Sequence, residues 1–193
     1  MTTPARDDRL QPWLRFKLAQ GLTLLGKDAS AVDVLASLAA ETPGYVQAWR
    51  HLGFLHAKHG RDAAAAEALA RAVAIVPGDA ATRFNLGFVL HRLGRTDEAI
   101  AEYRRVIEAT PNNDRAWYGL GVCLCEQGKW AEAVEPLREA AKQQYFNPHA
   151  GMQLALAYHR LGRRDDLKAE YERVKSFEPK FAEQIRRETG LDA

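Results

Sequence analysis

Along this chain a large apolar residue and a small one recur side by side at a fixed interval: Leu18-Ala19, Leu52-Gly53, Leu86-Gly87, Leu120-Gly121 and Leu154-Ala155, 34 residues apart each time. A glycine follows eight residues after each leucine, at Gly26, Gly60, Gly94, Gly128 and Gly162. Five residues past the glycines stand Ala31, Ala65, Ala99, Ala133 and Leu167, and nine past them Leu35, Leu69, Tyr103, Leu137 and Tyr171. Large residues at this spacing make a helical apolar stripe, and small ones let two helix axes approach to roughly 8–10 Å. Each period therefore predicts two helices. The glycine ends the first, because it takes the left-handed conformation without a steric penalty. Pro43, Pro77, Pro111 and Pro179 close the second, with Tyr145 in the fourth place of that series.

The periods run 12–45, 46–79, 80–113, 114–147 and 148–181, with an N-terminal extension at 1–11 and a capping helix and tail at 182–193. Local departures carry their own expectations. Pro148 opens a helix, where proline is favourable, whereas Pro136 falls inside one and should bend it. Leu167 in place of alanine points to looser packing. Trp49, Leu52, Gly53, Gly60, Ala65, Leu69, Ala72 and Pro77 resemble the tetratricopeptide repeat signature, as do Trp117, Leu120, Gly121, Gly128, Ala133 and Ala140. The resemblance implies an all-α fold: a right-handed superhelical solenoid of five helix-turn-helix units plus a C-terminal capping helix. It also implies a protein-binding scaffold or adaptor, not an enzyme.

On a helical wheel, positions 2, 5, 6, 9, 12 and 13 of each period form an arc opposite the stripe. In the family this chain resembles, that arc lines a concave groove gripping an extended peptide. Over five periods it holds six cations, Lys17, Arg50, Lys58, Arg92, Arg115 and Arg160, and one acid, Glu126, although the whole chain balances 27 basic against 25 acidic residues. Interleaved with them are Trp13, Phe16, Phe54, Phe84, Phe88, Tyr118, Val122 and Met152. An aromatic patch rimmed by charge marks an interaction site.

The candidate peptide-binding groove is therefore Phe16, Arg50, Phe54, Lys58, Phe84, Asn85, Phe88, Arg92, Arg115, Tyr118, Val122, Met152 and Arg160. Its expected partner is an acidic, partly apolar protein segment held by arginine forks and aromatic contact. Phe54 and Phe88 suit either the groove or the seam between periods. Arg50, Phe54, Asn85, Arg115 and Gly119 stand at the positions of the carboxylate clamp found in chaperone-binding members. Phe54 and Gly119 lack its polar groups, which counts against a chaperone tail as ligand.

Other chemistry is sparse. His56 and His59 share a helix face but have no nearby carboxylate or third ligand, so no metal is expected. His91 and His159 lie on the arc and would add charge below neutral pH. Cys125 also falls on the arc, with no activating partner. Cys123 and Cys125 point apart on a helix, which opposes a disulfide and fits a reducing compartment. No phosphate loop, dinucleotide fingerprint, serine elbow or paired carboxylates appear, so neither catalysis nor a cofactor is expected. Six cations spread over five periods make a poor track for nucleic acid.

No stretch reaches the roughly 18–20 apolar residues that span a bilayer, and the N-terminal residues do not resemble a secretory signal, so a cytoplasmic protein is expected. An alanine-rich chain with 19 arginines and 8 lysines reads as bacterial. Two alternatives stand beside the adaptor. One is a self-associating scaffold in which DDRLQPWLRF or the end helix of one copy enters the groove of another. The other is an accessory subunit of an enzyme or of a secretion or assembly complex.

Overall fold

The computed structural model describes residues 11–144 and 148–191. Within them lie eleven helices and no strand: α1 Pro12–Leu24, α2 Asp28–Glu41, α3 Val46–Lys58, α4 Asp62–Ile75, α5 Ala80–Arg92, α6 Thr96–Ala109, α7 Asp114–Glu126, α8 Trp130–Gln143, α9 Pro148–Arg160, α10 Arg164–Lys175 and α11 Pro179–Thr189. The odd-numbered helices α1 to α9 begin 34 residues apart, at the first residue of each period. Residues 1–10, residues 145–147, which include Tyr145, and the last two residues lie outside the described residues.

The glycine turns explain the spacing. Gly94 has φ 71°, and its counterparts Gly26, Gly60, Gly128 and Gly162 lie between 69° and 72°. Around Gly94 the Arg95 N–H donates to the Leu90 carbonyl and the Gly94 N–H to that of His91, each at 2.9 Å. Those two bonds satisfy carbonyls that a helix end leaves without partners and turn the chain into α6.

The chain divides into two compact units, residues up to Thr82 and residues from Arg83 onward. In the first, Ala19, Ala31, Leu35, Leu38, Leu52 and Leu55 form a core, with Phe16, Leu22, Tyr45 and Trp49 packed against it. In the second, Leu86, Val89, Tyr103, Val106, Leu124, Leu137 and Leu154 are buried. The small members of the recurring pairs work as the spacing predicts. A Cβ on Gly53 would come 2.5 Å from Leu69, and one on Gly121 would come 2.5 Å from Leu137.

Position 4 of the first four periods is filled in two ways, and Gly151 holds it in the fifth. The Trp49 indole N–H donates to the Pro43 carbonyl at 2.9 Å, and that of Trp117 to the Pro111 carbonyl at 2.8 Å. Where arginine replaces tryptophan it pairs with an acid on the second helix: Arg15 with Glu41 at 2.9 Å, and Arg83 with Glu102 at 2.6 Å. Leu167 is 3% exposed, so its extra volume is buried. Pro136 is buried inside α8, which runs unbroken from Trp130 to Gln143. α11 starts at Pro179, three residues before the expected Ala182, because proline with its fixed φ and no N–H is a ready first residue for a helix.

Candidate functional site

In the second unit a cavity of about 610 Å3 opens among α5, α7 and α9. α5 supplies Phe84, Phe88 and His91, and α7 supplies Asp114, Arg115, Tyr118, Gly119 and Val122. Tyr103 of α6, Ala140 and Gln144 of α8 and the turn after it, and His149 and Ala150 of α9 complete the lining. This volume is in the range that takes a small ligand or a bulky side chain. The repeat builds it directly: Phe84 and Tyr118 occur at one position of successive periods, and Phe88 and Val122 at another, so α5 and α7 present matching apolar residues.

Charge sits on top of the aromatic lining. The Arg115 guanidinium lies 4.5 Å from the centroid of Phe84, and that of Arg92 lies 5.8 Å from the centroid of Phe88. A guanidinium over a ring keeps N–H donors at its edge, and these suit a carboxylate. His91 Nε2 and Glu126 Oε2 are 2.8 Å apart at the same rim. Phe84 and Tyr103 pack with centroids 5.9 Å apart. Burial, with a smaller effect from Cys125, pushes the Tyr118 hydroxyl above the usual tyrosine range, so it stays a neutral hydrogen-bonding group.

Five of the thirteen expected groove residues, Phe84, Phe88, Arg115, Tyr118 and Val122, line this cavity, and Arg92 flanks it through Phe88. Phe88 is 46% exposed and Phe54 55% exposed, so neither is sealed in a seam. Asn85 is exposed and Met152 half-buried, both outside the lining. Arg160 lies 5.7 Å over Trp130. In the first unit Phe16 is half-buried, edge-on to Tyr45 at 5.8 Å and to His51 at 5.9 Å. It contributes to the packing there while staying partly exposed.

The arc's six-to-one charge excess needs correction. Arg50 pairs with Asp79, in the turn before α5, and Lys58 Nζ lies 2.6 Å from Asp28 Oδ2 at the start of α2. Both acids are outside the arc, so a count along the first helices leaves them out. Asp28 also corrects the expectation for the histidines, since His59 Nε2 lies 2.7 Å from the same oxygen. The Lys58 ammonium already serves that carboxylate as its cation. Hydrogen bonds from Lys58 and then His59 hold the Asp28 carboxyl below the usual range. For Asp79, burial acts upward but is outweighed by hydrogen bonds from the Thr82 side chain and backbone and by the Arg50 charge.

Cys125 is buried at 6% exposure, not open on the arc, and burial with Glu126 pushes its thiol up to about 11. Cys123 reaches about 12 for the same reasons. His149 shares the arc position of Arg115, so the periodicity already pointed to it; Tyr103, Ala140 and Gln144 enter from second helices and the turn after α8, which the arc ignores. Among the described residues no three His, Cys, Asp or Glu side chains are grouped to hold a metal ion, and no helix is long and apolar enough to cross a membrane.

Two sequence profiles, both described as Tetratricopeptide repeat, match residues 84–148 and 46–89, together more than half of the 193 residues. No curated protein matches in sequence. Among solved structures, one titled "Crystal structure of MamA protein" aligns with a TM-score of 0.82 at 19% identity, covering 94% of this chain and 97% of that one. Another, "Crystal structure of YrrB: a TPR protein with an unusual peptide-binding site", gives 0.81 at 16% identity and 90% of each chain. A further "Crystal structure of MamA" gives 0.80 at 21% identity, covering 86% of this chain and 96% of that one. At such identities the likeness fixes the fold, an all-α helical-repeat solenoid.

Proposed function

Because the chain belongs to the tetratricopeptide repeat family, a family of protein-interaction scaffolds, we propose that it works by binding and not by catalysis. Its ligand is an acidic, partly apolar protein segment, and the second unit's cavity is where that segment is anchored. The carrying observation is the position of Arg115, exposed and 4.5 Å over Phe84 at the mouth of an aromatic cavity. An apolar side chain would enter against Phe84, Phe88, Tyr118 and Val122 while a neighbouring carboxylate meets the guanidinium edge. Arg50 and Lys58 are paired with acids of the chain itself, so the recognition charge lies in the second unit.

The test is fluorescence anisotropy with short synthetic peptides that share one leucine or phenylalanine anchor and carry flanking aspartates, lysines or alanines. The aspartate peptide should bind at least tenfold tighter than the lysine peptide. Arg115→Glu should remove that preference, and Tyr118→Ala should weaken both. Equal affinity for the aspartate and lysine peptides, or no binding of any peptide, would overturn the reading.

A further inference from the structure

We infer that this chain forms a two-fold dimer through the outer face of α1. Among the described residues, half of the exposed large apolar side chains lie on that helix and its C-terminal turn: Trp13 at 57%, Leu14 at 39%, Leu18 at 47%, Leu24 at 88% and Leu25 at 73%. Phe16, Ala19 and Leu22 on the other side already pack into the core of the first unit. α1 thus carries large apolar residues on both sides, with Lys17 the exposed cation among the outer ones.

The repeat says what kind of surface this is. Residues at 34-residue intervals from Leu14 and Leu18 are buried in every later period: Ala48 and Leu52 at 0% and 4%, Thr82 and Leu86 at 3% and 6%, Ala116 and Leu120 at 0% and 5%, Ala150 and Leu154 at 4% and 2%. The outer face of α1 is thus a helix-packing surface without a helix on it among the described residues, and it carries a leucine where later periods have alanine or threonine.

The candidate occupants differ in chemistry. The ten residues before Gln11, MTTPARDDRL, hold only Met1 and Leu10 as large apolar residues, too few for a facing stripe. The outward side of α11 exposes Lys180, Gln184, Arg186, Arg187 and Glu188, with Arg186 and Arg187 paired to Glu183, so stacking that end on α1 would desolvate a charged network against apolar side chains that offer it no hydrogen bonds. Insertion of α1 into another copy's cavity would bring Trp13 without Phe16, which is committed to Tyr45 and His51. The like face of a second copy is predominantly apolar, its cation Lys17 having a long stem that can carry the ammonium out to solvent, and such an isologous contact closes after two chains.

Sedimentation velocity of the full chain across a wide concentration range should show a monomer–dimer equilibrium, with a limiting mass twice the 21.5 kDa of one chain. The double variant Leu14→Glu, Leu18→Glu should weaken dimerisation at least tenfold with an unchanged circular dichroism spectrum. If it fails to fold, Leu24→Ser with Leu25→Ser, at the most exposed positions, should still weaken it. Leu18 is at the middle of α1, close to a two-fold axis through that helix. Leu18→Cys should therefore give a disulfide-linked dimer with oxidised glutathione. A monomer at every concentration, a dimer untouched by these variants, or open-ended oligomers in which the Leu18→Cys variant forms no cross-link would overturn the proposal. Peptide binding in the second unit is measured separately, so either idea can fail while the other stands.

Discussion

The ring of Tyr103 stands where a Cβ on Gly119 would have to go, its Cζ 2.6 Å from that position. The same ring lies 3.1 Å from where a Cβ on Gly87 would be, so one buried tyrosine locks α6 against both α5 and α7 and forms part of the cavity wall. Glycine is required here for space, since the backbone of Gly119 is ordinary helix. Gly119→Ala should cost about 1–3 kcal/mol in urea unfolding, the usual range for overpacking. Tyr103→Leu, made in the Gly119→Ala background, should recover part of that loss. Additive effects of the two changes would mean that the ring and the glycine are not in contact.

Burial lowers the proton affinity of His51, only partly opposed by the Asp28 charge, and burial together with Arg61 and His59 lowers that of His56. The unfolded chain takes up these protons near the ordinary 6.5, while the folded first unit takes them up only at lower pH. Stability therefore falls as pH drops below 6.5. Thermal unfolding should occur at lower temperature at about pH 5.5 than at about pH 7.5, and the gap should narrow in the double variant His51→Gln, His56→Gln. Equal pH sensitivity in the variant would show that neither histidine is responsible.

Asp28 acts in a separate window. Its folded value lies below the ordinary 3.8, so its contribution is present above 3.8 and is lost as pH falls through the lower folded value. Asp28→Asn should be less stable than the natural chain at neutral pH, and the difference should shrink in strongly acidic buffer. A constant difference across that range would separate the effect from Lys58 and His59.

The helix starts and left-handed turns were legible because they depend on neighbours within one period: Gly94 ends α5 through bonds that it and Arg95 make to the carbonyls of His91 and Leu90. The cavity's apolar side was legible for the same reason, since Phe84 and Tyr118 repeat one position. The charge balance was not. Asp28 is 30 residues from Lys58, and Asp79 is 29 from Arg50, and each enters from a turn or second helix that an arc on first helices omits. Burial by tertiary contact likewise took Cys125 off the surface and packed Phe16 partway against Tyr45 and His51. The early start of α11 is a local effect of Pro179, whose place in the 34-residue register marks it only as the close of a period.

Cys123 and Cys125 offer a direct measure of how tightly α7 is packed. Their thiols sit at about 12 and about 11, raised by burial first and by the Glu126 charge second. Near pH 8 only about one thiol in a thousand or fewer would be ionised, and thiolate is the species that attacks a disulfide reagent. Both side chains are also shielded, at 0% and 6% exposure. The native chain should therefore react very slowly with an aromatic disulfide reagent, and two equivalents should appear at once when urea unfolds it. Reaction in the native state at the rate of local opening would still leave both thiols slower than a free cysteine. Rapid stoichiometric labelling under native conditions would contradict the packing of α7 against α8, and with it the wall on which Tyr118 and Val122 are held.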